Sequence, residues 1–173
     1  MHKPRRYRLR DGFLSIAIVL GFFFAFVSPP TSASAPLQGR AVVVDGDTLE
    51  VQGARVRLAM VDAPESRQTC SDADGREYRC GQRSALALAD WLGASTIRCQ
   101  VEGRDRYRRF IAHCFKGETS VNGWLVANGH AVAYRQYGTR YVPEEVEARR
   151  ARRGIWQGAF VEPAEFRRHG RRS

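Results

Sequence analysis

The chain has 173 residues and a formal net charge of +10. This length has room for one domain with a substantial hydrophobic core and excludes a second domain of similar size. So large an excess of positive charge favours a polyanionic partner, either nucleic acid or an acidic membrane surface. The alternative is a basic protein whose charge only keeps it soluble.

The N-terminal segment, residues 1–35, has the pattern of an export signal. It begins with five basic side chains, continues with an uncharged apolar run of 15 residues, and ends in small residues after two prolines. A spanning helix needs ~18 or more apolar residues. We predict a periplasmic or secreted product with cleavage after Ala33 rather than Ala35, where Pro36 would hinder it; an uncleaved signal anchor is the alternative. The segment holds five basic residues and one acidic residue, so the rest of the chain keeps a net charge of +6.

Strands are predicted over residues 38–61, where apolar and polar side chains alternate on both sides of a turn at residues 52–54. Two further strands are predicted over residues 96–103 and 109–117. Helices are predicted over residues 82–92, 120–128 and 143–153, since each segment is bounded by suitable capping residues. After these helices, Ile155 and Trp156 are expected to return to the core, and the C-terminal residues 165–173 to form a frayed basic tail. We predict an α+β protein built on a five-stranded OB-type barrel with about three α-helices.

The four cysteines are expected to form two disulfides, because their number is even and the domain is exported. Cys99 and Cys114 fall on neighbouring antiparallel strands, and Cys70 and Cys80 stand at the two ends of a polar loop. These positions favour the pairings 70–80 and 99–114 among the three possible ones. A four-cysteine zinc site is the alternative, but the spacings are irregular and no C-x-x-C pair occurs.

Two acidic residues are expected to meet near one end of the first strands. Asp47 opens one strand and Asp62 closes the next, so antiparallel pairing brings them together. Two carboxylates with a backbone carbonyl and water are a hard oxygen site suited to Ca²⁺. Glu65 is close enough along the chain to orient or deprotonate a water beside the metal. Arg57 is able to neutralise phosphate oxygens through paired hydrogen bonds.

A third cluster is Asp105-Arg106-Tyr107-Arg108-Arg109. It supplies a second arginine and an aromatic face on which a base can stack. Each cluster alone also fits an ordinary turn. Together the motifs DGDT, VRL, VDAPE, DRYRR, SVNGWLVANGHA and RGIW, over about Gly39 to Trp156, resemble in order and spacing those of the staphylococcal nuclease (thermonuclease) family.

The resemblance implies an OB-fold, Ca²⁺-dependent nuclease that cuts DNA and RNA with little sequence preference and leaves 3′-phosphates. It implies a nuclease domain over residues 36–158, followed by the basic tail at residues 159–173. Implied metal ligands are the carboxylates of Asp47 and Asp62 and the backbone carbonyl of Ala63. The implied catalytic residues are Arg57, Glu65 and Arg109, and the implied nucleotide-binding residues are Arg106, Tyr107 and Tyr134.

The sequence departs from the family pattern at Arg108, where DRYGR has glycine. If this position requires positive φ, an arginine costs roughly 1–2 kcal/mol there or imposes another turn. The arginine at this position also makes both Arg108 and Arg109 candidates for the phosphate contact, and we assign Arg109 from its motif position.

We predict a monomer with no protein partner, and membrane association only if the N-terminal segment is retained. The alternatives are a non-catalytic OB module that binds nucleic acid and an anchored structural domain of the cell envelope.

Overall fold

The computed structural model describes residues 36–170, so the predicted export signal lies outside the described residues. Ten strands occur in this part of the chain: β1 (Leu37–Asp45), β2 (Thr48–Val51), β3 (Ala54–Leu58), β4 (Val61–Asp62), β5 (Cys70–Ser71), β6 (Glu77–Tyr78), β7 (Thr96–Arg104), β8 (Phe110–Lys116), β9 (Thr119–Ser120) and β10 (Val132–Ala133). Four α-helices accompany them: α1 (Cys80–Leu92), α2 (Val121–Ala127), α3 (Val142–Arg150) and α4 (Pro163–His169).

Five of the strands form a closed mixed barrel. β1, β2 and β3 are an antiparallel meander, and β7 and β8 are an antiparallel hairpin whose first strand pairs with β1. A parallel pairing of β3 with β8 closes the barrel, with Val56 opposite Phe110. This topology confirms the predicted α+β fold with a five-stranded OB-type barrel.

The interior of the barrel is filled by side chains that alternate along the strands. Leu49 and Val51 of β2 and Val56 of β3 are completely buried. Leu88 of α1 and Leu125 of α2 pack into the same core. Each large aliphatic side chain contributes about 1.5–3 kcal/mol by leaving water, so the apolar faces of the helices hold them against the barrel.

Both predicted disulfides are confirmed. Cys99 and Cys114 are opposite each other in the β7–β8 register, with their Cα atoms 4.0 Å apart. Cys70 and Cys80 join the hairpin β5–β6 to the start of α1, with a Cα separation of 5.6 Å. All four cysteines are therefore engaged, and the zinc alternative is wrong.

The predicted C-terminal end of α1 and the predicted N-terminal cap of α2 are confirmed, whereas the predicted C-terminal end of α3 is wrong. Gly93 ends α1 with a φ of 52°, and the Ser120 hydroxyl caps α2 by accepting a hydrogen bond from the Gly123 N–H. The helix predicted to reach residue 153 ends at Arg150, because Arg152 takes a positive φ of 52° and turns the chain. Ile155 is then buried in the core, as predicted.

The frayed tail predicted over residues 165–173 is wrong for the residues that form α4, and residues 171–173 lie outside the described residues. The segment before this helix is fixed to the rest of the fold. The Gln68 amide donates to the Val161 carbonyl over 2.6 Å, the Ser71 N–H donates to the Ala159 carbonyl, and Pro163 is buried. The basic C-terminal residues are thereby brought back to the barrel. Within residues 36–170, none of the helices combines the length and apolar character needed to cross a bilayer.

Candidate active site

A cleft of about 790 Å³ opens at one end of the barrel. Its walls are the β1–β2 turn, the end of β3, the tip of the β7–β8 hairpin, the chain after β10, and α4. Six arginines line it among the described residues: Arg57, Arg67, Arg104, Arg106, Arg109 and Arg167. Carboxylates lie among these arginines, so the cleft combines anion-binding groups with acidic ones.

Asp47 is fixed in the tight turn between β1 and β2. Its Oδ2 accepts a hydrogen bond from the Ala63 N–H over 3.1 Å, and its Oδ1 accepts one from the Thr48 hydroxyl. The preceding residue, Gly46, has no room for a side chain, because a Cβ there would lie 2.7 Å from the Ala63 Cβ and 2.8 Å from the Ser84 Oγ. Asp47 is thus held against the segment that carries Ala63.

Arg57 joins the two aspartates. Its Nη1 forms an ion pair of 2.6 Å with Asp47 Oδ2, and its Nη2 donates to Asp62 Oδ1 over 3.1 Å. Thr48 lies opposite Arg57 in the β2–β3 register, which places the arginine at the end of the barrel where the β1–β2 turn lies. The structure therefore brings Asp47, Arg57 and Asp62 together as one charged cluster.

Asp62 reaches this cluster by a different route from the one predicted. The strand expected to run as far as Asp62 ends at Leu58, and Met60 takes a left-handed φ of 59°. Asp62 lies on the separate strand β4, which pairs with β10 so that Val132 is opposite it. The antiparallel β2–β3 pairing thus positions Arg57, whereas the β4–β10 pairing positions Asp62.

The Asp62 carboxylate is only 1% exposed. Burial raises its pKa above the ordinary value, while hydrogen bonds from Arg167 act in the opposite direction. Burial and the nearby charge of Asp47 also raise the pKa of Asp45, which lies at the end of β1. Several buried or half-buried carboxylates therefore lie close together at this site, and their ionised forms need nearby positive charges to stabilise them.

Glu65 is positioned by the loop after β4. Its N–H donates to the Gln68 side chain, and its carbonyl accepts from the Gln68 N–H over 2.7 Å. Gly81 at the start of α1 packs so closely on this carbonyl that a Cβ would lie 1.8 Å from it. The Cys70–Cys80 disulfide, next to Gly81, therefore secures the loop that holds Glu65 at the cleft.

Arg109 lies at the hairpin end of the cleft. Its Nε donates to Asp105 Oδ2 over 2.7 Å, and its Nη1 donates to the Thr48 hydroxyl over 3.3 Å. Burial acts to raise the pKa of Asp105, but hydrogen bonds from Arg109 outweigh it and hold the pKa below its ordinary value. Arg108 is exposed and has a φ of 67°, the left-handed conformation that the family's glycine suggested. Arg109, rather than Arg108, thus lines the cleft.

The predicted nucleotide-binding residues also border the cleft. Tyr107 is 67% exposed, and the guanidinium groups of Arg106 and Arg109 lie 5.2 and 5.7 Å from its ring centre. Tyr134 follows β10 and contacts Tyr137 edge to face, with ring centres 4.9 Å apart. Aromatic faces beside arginines are suited to stacking on bases.

Asp45, Tyr137 and Arg167 line the cleft without having been predicted as site residues. Asp45 belongs to the DGDT motif, in which only Asp47 was given a role. Arg167 belongs to the tail that was expected to be frayed. A signal for its helix was present, since proline stands at its start and basic residues occupy its last turn. The sequence contains no comparable signal for where that helix packs.

The donor types near Asp47 fit a hard divalent cation. Carboxylates of Asp47 and Asp62 and the nearby backbone of Ala63 are the oxygen donors that calcium prefers. Among the described residues, no group of three or more His, Cys, Asp or Glu side chains is arranged to hold a metal. In the arrangement described here, guanidinium groups match the charge of both aspartates. The chemistry of the donors fits calcium, and these ion pairs would have to rearrange around it.

Comparison with known proteins identifies relatives of the chain. Residues 55–158, more than half of the chain, match the family described as staphylococcal nuclease homologue. The succinoglycan biosynthesis protein ExoI of Rhizobium meliloti (strain 1021) is 51% identical over 102 residues, which cover 58% of this chain and 53% of that protein. An uncharacterized endonuclease of Escherichia coli O157:H7 is 34% identical over 143 residues, covering 78% and 87% of the two chains. Micrococcal nuclease of Shigella flexneri is 32% identical over 179 residues, covering 92% and 96%. The matched region thus spans about half of the first relative and most of the other two.

Proposed function

The chain belongs to the staphylococcal nuclease family, and we propose that it is an exported, calcium-dependent nuclease that hydrolyses both DNA and RNA. In this proposal cleavage has little sequence preference and leaves 3′-phosphate and 5′-hydroxyl ends. The observation that carries it is the convergence of Asp47, Arg57, Asp62, Glu65 and Arg109 at one cleft, with aromatic side chains at its border.

Calcium would be held by the Asp47 and Asp62 carboxylates and the Ala63 carbonyl. When bound, it supplies a positive charge that polarises a phosphodiester oxygen. The acidic cluster supports this assignment, because carboxylates repel a nucleic-acid backbone unless a cation intervenes. A domain that only bound nucleic acid would have no need for these buried acids.

The remaining chemistry belongs to the side chains of the cleft. Glu65 takes a proton from a water that attacks phosphorus on the side opposite the 5′ oxygen. The bond between phosphorus and that oxygen breaks, the leaving oxygen takes up a proton from water, and Glu65 then returns its own proton to solvent. Arg57 and Arg109 donate hydrogen bonds to the phosphate oxygens and stabilise the charge that accumulates in the transition state. The ion pair of Arg109 with Asp105, which is not a proposed metal ligand, keeps that guanidinium group in place beforehand.

Low sequence specificity follows from the kinds of group at the cleft. Arginines bind phosphates, which carry no sequence information. Tyr107 and Tyr134 offer ring faces, on which every base can stack. Neither kind of contact reads a base edge or requires the sugar 2′-hydroxyl, which supports low sequence preference and action on both DNA and RNA.

Export is proposed from residues 1–35 and is supported by the two disulfides. Cys70–Cys80 and Cys99–Cys114 are structural bonds of a kind that persist in oxidising compartments. The Cys70–Cys80 bond also secures the loop that carries Glu65, so an oxidising compartment would help to maintain the site itself.

A cleavage assay with the purified chain tests this function. We expect supercoiled plasmid and a structured RNA to be degraded with calcium present, and both to survive with a calcium chelator. The Arg168→Gln variant is a matched control for lost positive charge, since Arg168 is exposed and does not line the cleft. It should cleave at the normal rate. Binding of either nucleic acid without cleavage would favour the non-catalytic module instead.

A further inference from the structure

Arg167 of α4 makes the most extensive set of ion pairs in the cleft outside the predicted site. Its Nη1 lies 2.8 Å from Asp62 Oδ1 and 2.8 Å from Glu65 Oε1, and its Nη2 lies 2.9 Å from Asp62 Oδ2. One guanidinium group thus spans both oxygens of a proposed metal ligand and also touches the proposed general base. Bidentate pairs of this type are the stronger class of ionic hydrogen bond.

These contacts compete with a bound cation. Both Asp62 oxygens accept from Arg167, and Oδ1 also accepts from Arg57. Calcium sits only about 2.3–2.6 Å from its oxygen ligands. A guanidinium nitrogen hydrogen-bonded to the same oxygen would stand close to the metal, and like charges at that separation repel. Coordination by Asp62 therefore requires Arg167 to give up part of its present pairing.

The fold lets Arg167 move without undoing the barrel. The chain before α4 is fixed through the carbonyls of Ala159 and Val161, whereas Arg167 lies in the last turn of the helix. Phe166, beside it, packs on the Arg67 guanidinium at 5.8 Å. Burial acts to lower the pKa of Arg167, but its bonds to Asp62 and Glu65 outweigh this and raise the pKa, so the side chain stays charged.

We propose that Arg167 is a built-in competitor for the cation, which neutralises Asp62 and Glu65 until a divalent metal displaces it from Asp62. The inference rests on the proposed function, because it takes calcium as the metal that Asp62 binds. Arg167 thereby raises the calcium concentration at which the site fills. It also keeps the buried Asp62 charge matched while the metal is absent.

Calcium titration of the full chain by calorimetry, without nucleic acid, tests the competition. Arg167→Gln should bind calcium roughly tenfold more tightly than the natural chain, a coupling of ordinary size between two competing ligands. Arg168→Gln removes the same charge from the same helix and should leave the affinity within about twofold, since exposed charges are strongly screened. Equal affinities in all three proteins, or weaker binding by Arg167→Gln, would overturn the competition and leave calcium dependence intact. Absence of calcium binding in every protein would overturn the calcium site together with the competition.

Hydrogen exchange on the natural chain gives a second readout that needs no variant. If calcium displaces Arg167, the backbone amides of residues 164–169 in α4 should exchange faster after calcium is added, while those of the barrel strands are unchanged or slower. Slower exchange in α4 on calcium binding would mean that Arg167 supports the metal site, and the competition would then be wrong. Exchange in α4 that calcium leaves unchanged would also count against it.

Discussion

Replacing Arg108 with glycine is expected to stabilise the protein. Arg108 has a φ of 67°, where an L-residue carries a steric cost of roughly 1–2 kcal/mol. Glycine removes that cost but loses about 0.5–1 kcal/mol through the greater freedom of the unfolded chain. The hydrogen bonds of the turn, from the Arg108 N–H to the Asp105 carbonyl and from the Arg104 guanidinium to the Arg108 carbonyl, remain available. The net gain should therefore be about 0.5–1 kcal/mol.

Urea unfolding followed by circular dichroism measures this gain in the free energy of unfolding directly. In a separate thermal unfolding experiment, the midpoint should be about 1–4 °C higher for a chain of this length. Arg106→Gly is the matched control, because Arg106 lies on the same exposed turn without a positive φ. It should destabilise the protein, since it adds chain freedom and releases no strain. Cleavage by Arg108→Gly should be undiminished, because Arg109 rather than Arg108 lines the cleft. A fall in stability equal to that of Arg106→Gly would refute the strain argument.

Three further predictions concern catalysis, pH and packing. Arg57→Ala and Glu65→Ala should each lower the cleavage rate by about 10²–10³ or more while circular dichroism shows an intact fold, and near-normal digestion by either variant would invalidate these assignments. Burial lowers the pKa of His113 and of His130 below the ordinary 6.5. The unfolded chain therefore binds more protons, and the free energy of unfolding should decline as the pH falls below about 6.5, less so in a variant with both histidines changed to Gln. Gly46→Ala should cost about 1–3 kcal/mol of stability by crowding its neighbours, as checked by urea unfolding; an unchanged midpoint would contradict the packing described here.

Local sequence rules account for most of the barrel. Alternation along the strands as far as Leu58, the turn at Gly53 and the spacing of Cys99 and Cys114 depend on neighbours in one strand or one hairpin, and the structure confirms them. The same is true of the Ser120 cap. Such features are predictable because period-two patterning and capping act over a few residues.

What the sequence did not reveal depends on contacts between distant segments. Met60 breaks the strand before Asp62, and the short strand β4 exists only because β10, some seventy residues later, pairs with it. Arg167 reaches Asp62 across 105 positions of sequence. The proline at its start and the basic residues in its last turn predict that α4 is a helix. A short helix with a mixed surface has no pattern that predicts which part of the protein it packs against. The sequence therefore predicted that Asp47, Asp62 and Arg57 lie close together, but it did not predict that Arg167 pairs with Asp62.

Product analysis after cleavage in water enriched in heavy oxygen tests the central claim most directly. A short DNA oligonucleotide, which has no 2′-hydroxyl to act as the nucleophile, should be cut only when calcium is present, and mass spectrometry should find the heavy oxygen in a 3′-terminal phosphate, with a 5′-hydroxyl on the other fragment. That outcome requires water to attack phosphorus and the 5′ oxygen to leave, as proposed for Glu65, Arg57 and Arg109. Products that carry a 5′-phosphate, or equal cleavage with calcium chelated, would contradict the account.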